Sequence, residues 1–200
     1  MTKRQACFYL LIGLIATACD RSLDREEYMA WVRDYDNGLH VKKVVDEYMI
    51  DIQYQPRHYL DFLRGEMVFD SADSNDRGKD DLQYYALTLG LAKGTTDFIQ
   101  HQVEDVISKQ QKLYYYSYSF QNDIVLEEEG QVLPCVLFHF ERQVDLKPTR
   151  TFLLGFPTVA GPSEGARLVI DSPWINSLPI KIKITKTNIP IPKKYEASLP

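Results

Sequence analysis

Alternation of apolar and polar residues with a period of two recurs along most of this 200-residue chain, and it narrows the fold more than any other feature. Leu39, Val41 and Val45 occupy odd positions and Tyr48, Ile50, Ile52 and Tyr54 even ones, which predicts two strands joined at a turn or bulge near Asp46-Glu47. Tyr85, Leu87, Leu89 and Leu91 line one face of a third strand over 84–91. Tyr114, Tyr116, Tyr118 and Phe120 line another, with Ser117, Ser119 and Gln121 on its opposite face. The run 132–141 is apolar on both faces, Val136, Phe138 and Phe140 against Leu133, Cys135 and Leu137, so a strand buried from both sides is expected there. Further strands are predicted over 150–156, 166–171 and 178–188. In the last of these Ile180, Ile182 and Ile184 face inward while Lys181 and Lys183 face outward and protect an edge.

Helical spacing interrupts this pattern. Asp24 followed by Glu27 predicts a capped helix carrying Tyr28, Trp31, Val32 and Tyr35, with Asn37-Gly38 as its stop. Tyr59, Leu60, Phe62 and Leu63 predict a short helix ending near Gly65. Thr96 is expected to cap a helix over 97–112 whose apolar stripe is Ile99, Val103, Val106 and Ile107. The expected fold is therefore α+β and mostly β: an antiparallel β-sandwich of about eight strands with an N-terminal helix and one inserted helix.

Residues 1–20 obey a different rule. Lys3 and Arg4 give a positive start, residues 6–15 form an apolar run, and Ala16, Thr17 and Ala18 lead directly into Cys19, which is the order of an export signal. The run is shorter than the roughly 20 residues a membrane-spanning helix needs. Small residues followed at once by cysteine resemble the lipobox of bacterial lipoproteins. That resemblance implies a diacylglyceryl group on the Cys19 thiol, cleavage just before Cys19 and acylation of the new N-terminus. The usual leucine three places before the cysteine is Ala16 here, and Ala16-Thr17-Ala18 also fits ordinary secretory cleavage, which would free a soluble protein beginning at Cys19. With the lipobox, residues 1–18 are the signal peptide, 19–23 a lipid tether, 24–192 one sandwich-like domain and 193–200 an extended tail.

Loss of Lys3 and Arg4 with the signal takes the formal charge from −5 to −7, a balance that argues against a nucleic-acid partner. Cys7 leaves too, and with Cys19 lipidated Cys135 is the remaining thiol, expected to be buried and unreactive. His40, His58, His101 and His139 show no metal-ligand spacing. Cys135 and His139 lie roughly 13 Å apart along a strand, too far for a thiol and base pair, which leaves His40 or His101 as a folded-over partner. The polar stretch 70–81 places Asp73, Asn75 and Gly78 at positions 1, 3 and 6 of a calcium-loop frame, but Arg77 and Tyr84 fall at positions 5 and 12, so a solvated loop is expected. Trp174 beside Pro173 is placed in a loop where it would be available to a carbohydrate or peptide.

These readings lead to the expectation of a protein of the bacterial cell envelope, held to a membrane through Cys19, acting as a non-enzymatic binding or assembly module with an envelope protein partner and no cofactor or metal. The alternatives are a hydrolase whose site is assembled on folding and a carbohydrate- or peptide-binding accessory lipoprotein.

Overall fold

The change of apolar phase at Asp46-Glu47 is a hairpin. In the computed structural model, which describes residues 22–65, 81–140 and 148–193, β1 (His40–Val45) and β2 (Tyr48–Gln55) pair antiparallel with Val45 opposite Tyr48, and Asp46 turns the chain at φ 51°. A two-residue turn puts odd positions of β1 opposite even positions of β2, and that is why the apolar set switches parity.

The other strands are β3 (Leu82–Leu91), β4 (Ile124–Glu128), β5 (Gln131–Pro134), β6 (Leu137–Phe140), β7 (Arg150–Pro157), β8 (Gly165–Ile170) and β9 (Ile180–Thr185). Among the described residues these nine strands form two antiparallel sheets, ordered β1-β2-β3-β7-β6 and β5-β4-β8-β9. Their inner faces share one core, in which Ile50, Leu87 and Leu154 of the first sheet join Leu126, Leu168 and Ile182 of the second. The expected α+β, mostly β sandwich is what the chain forms.

Contacts close the sandwich along both edges. Gly38 precedes β1 at φ 77°, a conformation that glycine adopts without strain, and its carbonyl accepts from Thr185 N at 3.0 Å, joining the start of β1 to the end of β9. On the other edge β5 runs on into β6 through Cys135 and Val136, so one stretch of chain leaves the second sheet and enters the first. Strands that change sheet at a bend form the corners of such sandwiches.

Three helices belong to the described residues: α1 (Arg25–Arg33), α2 (Arg57–Arg64) and α3 (Val106–Tyr114). Asp24 and Glu27 make the reciprocal capping box at the start of α1. Tyr28 and Val32 of α1 pack with Tyr59 and Phe62 of α2 in a second apolar cluster that also takes in Leu23 and Leu39. Leu23, expected in the tether, is therefore packed, and it bridges Pro192 in parallel fashion.

Three predicted elements differ from the structure. Tyr114 to Phe120 is helical: α3 passes into a π-helical turn at Tyr115–Ser119 and a 3-10 turn at Phe120–Asp123. Four aromatics at period two are also two pairs at period four, and the helix buries Tyr116 and Phe120 while leaving Tyr114 and Tyr118 exposed. The doubly buried strand over 132–141 is the sheet-switching bend, at which the inward set passes from Leu133 and Cys135 to Phe140 and Val136 is left half exposed. The helix predicted over 97–112 begins only at Val106, where the Asp105 carboxylate accepts from Ser108 N at 2.7 Å. Before it, Phe98 and Ile99 are buried in a turn, and Val106 and Ile107 face solvent.

Candidate functional site

The two ends of the sandwich differ in chemistry. β2 runs from Tyr48, beside the β1–β2 turn, to Gln55, beside α1 and α2, so the described N-terminal residues lie at the Gln55 end and the hairpin at the other. Each end contains a lysine withdrawn from solvent.

At the Gln55 end, Lys186 donates to Glu128 Oε1 at 2.6 Å and lies 4.9 Å from the centre of the Tyr54 ring. Gln83 donates to Glu128 Oε2 at 2.6 Å and accepts from the Tyr85 hydroxyl at 2.8 Å. Burial raises the Glu128 carboxyl, but the bonds from Lys186, Ser163 and Gln83 outweigh it and hold the group below its ordinary range. Each carboxylate oxygen has a donor. This cluster fastens β3, β4 and the chain after β9 to one another.

At the hairpin end Lys112 is 1% exposed and is the buried residue of α3. Its Nζ donates to the His101 carbonyl at 2.9 Å and lies 5.9 and 5.8 Å from the ring centres of Tyr48 and Trp174, an arrangement in which aromatic faces replace a carboxylate. Desolvation lowers the Lys112 pKa, and the more distant Asp97 and Glu47 offset part of the shift. The apolar residues of the same helix point the other way: Val106 is 70% exposed, Ile107 67% and Tyr114 63%, with Leu113 also exposed. α3 thus buries Lys112 and presents Val106, Ile107, Leu113 and Tyr114 to water together with Lys109, Gln110 and Gln111. The Tyr114 and Tyr118 rings, 5.1 Å apart, extend this surface into the π-helical turn.

Beside Lys112 a cleft of about 380 Å³ opens between the β1–β2 turn, the turn at Gln102 and the loop carrying Trp174. Glu47 Oε2 lies 2.7 Å from His101 Nε2, and its other oxygen accepts from the Gln102 amide. Asp46 and Gln102, both lining the cleft, hold left-handed backbone at φ 51° and 54°, a conformation non-glycine residues seldom adopt. Tyr48 also lines the cleft. It is 4% exposed, and its hydroxyl has no hydrogen-bond partner in the protein.

The residues singled out from sequence fall elsewhere or into lesser roles. Cys19 and the signal segment, most of the acidic stretch 70–81 and the tail 194–200 lie outside the described residues. The Cys135 thiol is buried and donates to the Leu137 carbonyl at 3.1 Å; His40 bonds to Asp51 at 2.6 Å, His101 lies 2.7 Å from Glu47, and no hydrogen bond joins either histidine to the thiol. His139 is exposed on β6. Trp174 is half-buried where loop exposure was expected. Lys112, Lys186 and Glu128 carry no sequence signal, since charged residues at these places read as solvent-facing. Tyr48 reads correctly as inward, but whether its hydroxyl finds a partner depends on chain segments far away in sequence.

Burial pushes the Cys135 thiol up to about 11. At neutral pH the native protein is expected to react with a disulfide reagent at least about a hundredfold more slowly than the unfolded chain. Equal rates in a timed absorbance assay would contradict the burial.

No protein-family model matches this chain, and comparison with curated proteins and with solved structures likewise finds no match. Among the described residues no helix is long and apolar enough to cross a membrane.

Proposed function

We propose that this chain is a lipid-anchored protein of a bacterial cell envelope that acts as a binding or assembly module without catalysis of its own. The observation that carries the reading is α3, whose Lys112 is buried while Val106, Ile107, Leu113 and Tyr114 are exposed. Four large apolar side chains exposed on one helix, interleaved with Lys109, Gln110 and Gln111, are the mixed apolar and polar surface a protein partner covers. Covering any one of the aliphatic side chains fully contributes about 1.5–3 kcal/mol.

Position favours a protein over the anchoring bilayer as the occupant. Leu23 packs at the end of the sandwich where β2 finishes, and acyl chains on Cys19, four residues earlier, lie within roughly 14 Å of it along the chain. α3 is attached through Lys112 over the Tyr48 ring at the start of β2, and that eight-residue strand spans about 24 Å. A membrane that holds the first end is therefore far from the helix, and a protein partner is the neighbour able to cover it.

The test uses the wild-type chain and the double variant Ile107→Asp with Tyr114→Asp in detergent extracts of the native cells. The wild type is expected to migrate in a complex well above its own mass and the variant as the monomer. Because both side chains are exposed, the variant should melt within about 2 °C of the wild type. Identical particle sizes for the two would overturn the assembly role of α3.

A further inference from the structure

We propose that His40 is a proton-operated latch on α1: with both ring nitrogens protonated it ties the C-terminal end of that helix to the sandwich, and loss of one proton lets the end go. The latch shares no residue with α3 and stands or falls separately from the docking role of that helix.

A helix leaves its last carbonyls without intrahelical donors. In α1 three consecutive ones are met by side chains: the Trp31 carbonyl accepts from the Asn37 amide at 2.9 Å, the Val32 carbonyl accepts from Gln53 at 3.2 Å, and the Arg33 carbonyl lies 2.7 Å from His40 Nδ1. Asn37 belongs to the 3-10 turn Tyr35–Asn37, while Gln53 and His40 stand opposite each other in the pairing of β2 with β1. These bonds fix the end of the first helix to the edge of the first sheet. Of the three donors the two amides do not titrate, so His40 alone makes the attachment depend on a proton.

The second ring nitrogen decides the charge. His40 Nε2 lies 2.6 Å from Asp51 Oδ1, and the Tyr35 hydroxyl donates to Oδ2 of the same carboxylate at 2.7 Å. A backbone carbonyl and a carboxylate only accept, so the ring donates at both nitrogens, which is the imidazolium form. Moving the shared proton to Asp51 would place it on the weaker base. The surroundings suit a cation: the Tyr35 ring is stacked on the imidazole with centres 3.9 Å and planes 21° apart, and the carbonyl end of a helix carries the negative end of its dipole. The His40 and Asp51 side chains are each 17% exposed, which strengthens their attraction relative to a pair in open water.

Loss of one proton frees the helix and not the strand. A bare Nε2 would turn its lone pair toward the Asp51 carboxylate, so the proton that leaves is the one on Nδ1, and the Arg33 carbonyl loses its donor. Tyr35 does not titrate first, because burial and then the bond to Asp51 push its phenol up to about 12. The other charged groups around the latch are Lys42, opposite Asp51 in the register of β1 with β2, the Arg33 guanidinium, turned away to the Tyr59 hydroxyl at 3.1 Å, and Asp34 and Asp36 at the turn. Lys186, beyond the end of β9, bonds to Glu128 instead. None of these is a histidine, the side chain whose charge ordinarily changes between about pH 5 and 8.

Nuclear magnetic resonance of the full chain in detergent, with nitrogen-labelled histidine, tests the assignment at about pH 6 and about pH 9. At the lower pH His40 is expected to show two slowly exchanging ring N–H protons, where the exposed His139 shows none, and at the higher pH only the one on Nε2. The Asp34 amide closes the last turn of α1 by donating to the Ala30 carbonyl at 3.1 Å. Its hydrogen-exchange protection, corrected for the intrinsic rate, should fall at least about tenfold between the two, while that of the Leu87 amide in the middle of β3 changes less than about twofold. His40→Gln should remove this dependence on pH. A single ring N–H on His40 at the lower pH would overturn the proposal. So would Asp34 protection that stays constant between the two, or a pH dependence that persists in His40→Gln. The ring signals require no variant, so the latch can be refuted even if His40→Gln fails to fold.

Discussion

Glu128→Ala is expected to remove about 3–5 kcal/mol of folding stability, the usual cost of leaving a buried charge without its partner. Glu128 is 3% exposed and accepts from Lys186 on one oxygen and Gln83 on the other, so its removal leaves the Lys186 ammonium without a counter-charge between the sheets. Replacing the pair together, as Glu128→Gln with Lys186→Met, should recover most of the loss, since neither charge then remains to be compensated. Urea denaturation of the three proteins measures this, and a loss below about 1 kcal/mol for Glu128→Ala would show the pair to be solvated. The pH dependence has a definite sign. The Glu128 carboxyl is held below its ordinary value in the folded chain, so its contribution is present above the unfolded value near 4.5 and is lost as pH falls through the folded value. Lys186 moves against the pair, because burial lowers its pKa by more than the bond to Glu128 restores. Keeping it charged therefore costs stability at neutral pH, and that cost is relieved as pH rises through the folded pKa toward 10.5.

What could be read in the sequence was the part of the fold that depends on near neighbours. The parity change across Asp46-Glu47 predicts the hairpin because a two-residue turn leaves no other way to keep Val45 and Tyr48 on one face. Asp24 with Glu27, and the alternation from Ile180 to Ile184, are equally local, and all three appear as predicted. The failures occur where distant segments decide. Tyr116 and Phe120 lie in a helical segment because their rings fill the corner beside β6 and β7, Phe120 meeting Phe152 edge-on at 5.3 Å, and tertiary packing there overrides the β-propensity of tyrosine. The bend at Cys135 and Val136 is set by the Val136 N–H, which donates to the Gly155 carbonyl at 2.9 Å and so commits the chain to the first sheet. The same reason hides the candidate sites. A lysine among polar residues on a helix reads as exposed, and only the approach of Tyr48 and Trp174 from two other elements makes Lys112 the buried side of α3. Once it is buried, Val106, Ile107 and Tyr114 are turned outward by geometry, so their exposure follows from a burial the sequence does not reveal.

Cys19→Ser is expected to leave the precursor unlipidated and largely unprocessed by the lipoprotein signal peptidase. Each acyl methylene buried in a bilayer contributes about 0.8 kcal/mol, and one myristoyl chain gives only marginal, reversible attachment, whereas the two or three chains of a lipoprotein cysteine hold a domain essentially permanently. All of them depend on the thiol. The fold should not: Leu23 is the first residue in the apolar cluster of α1 and α2, and it bonds to the chain at Ile191 and Lys193. A chain beginning at Asp20 behind an ordinary secretory signal is therefore expected to be soluble with an unchanged melting temperature. Deletion through Leu23 should lower it, because the cluster loses a buried leucine, a cost of about 2–5 kcal/mol, and Asp24 loses the neighbour that fixes the entry to α1. Mass spectrometry of the N-terminal peptide from native membranes decides the matter. An acylated Cys19 is expected there, and a mature protein that begins with an unmodified Cys19 would replace the lipid anchor with plain secretion, leaving the sandwich and both of its ends as described.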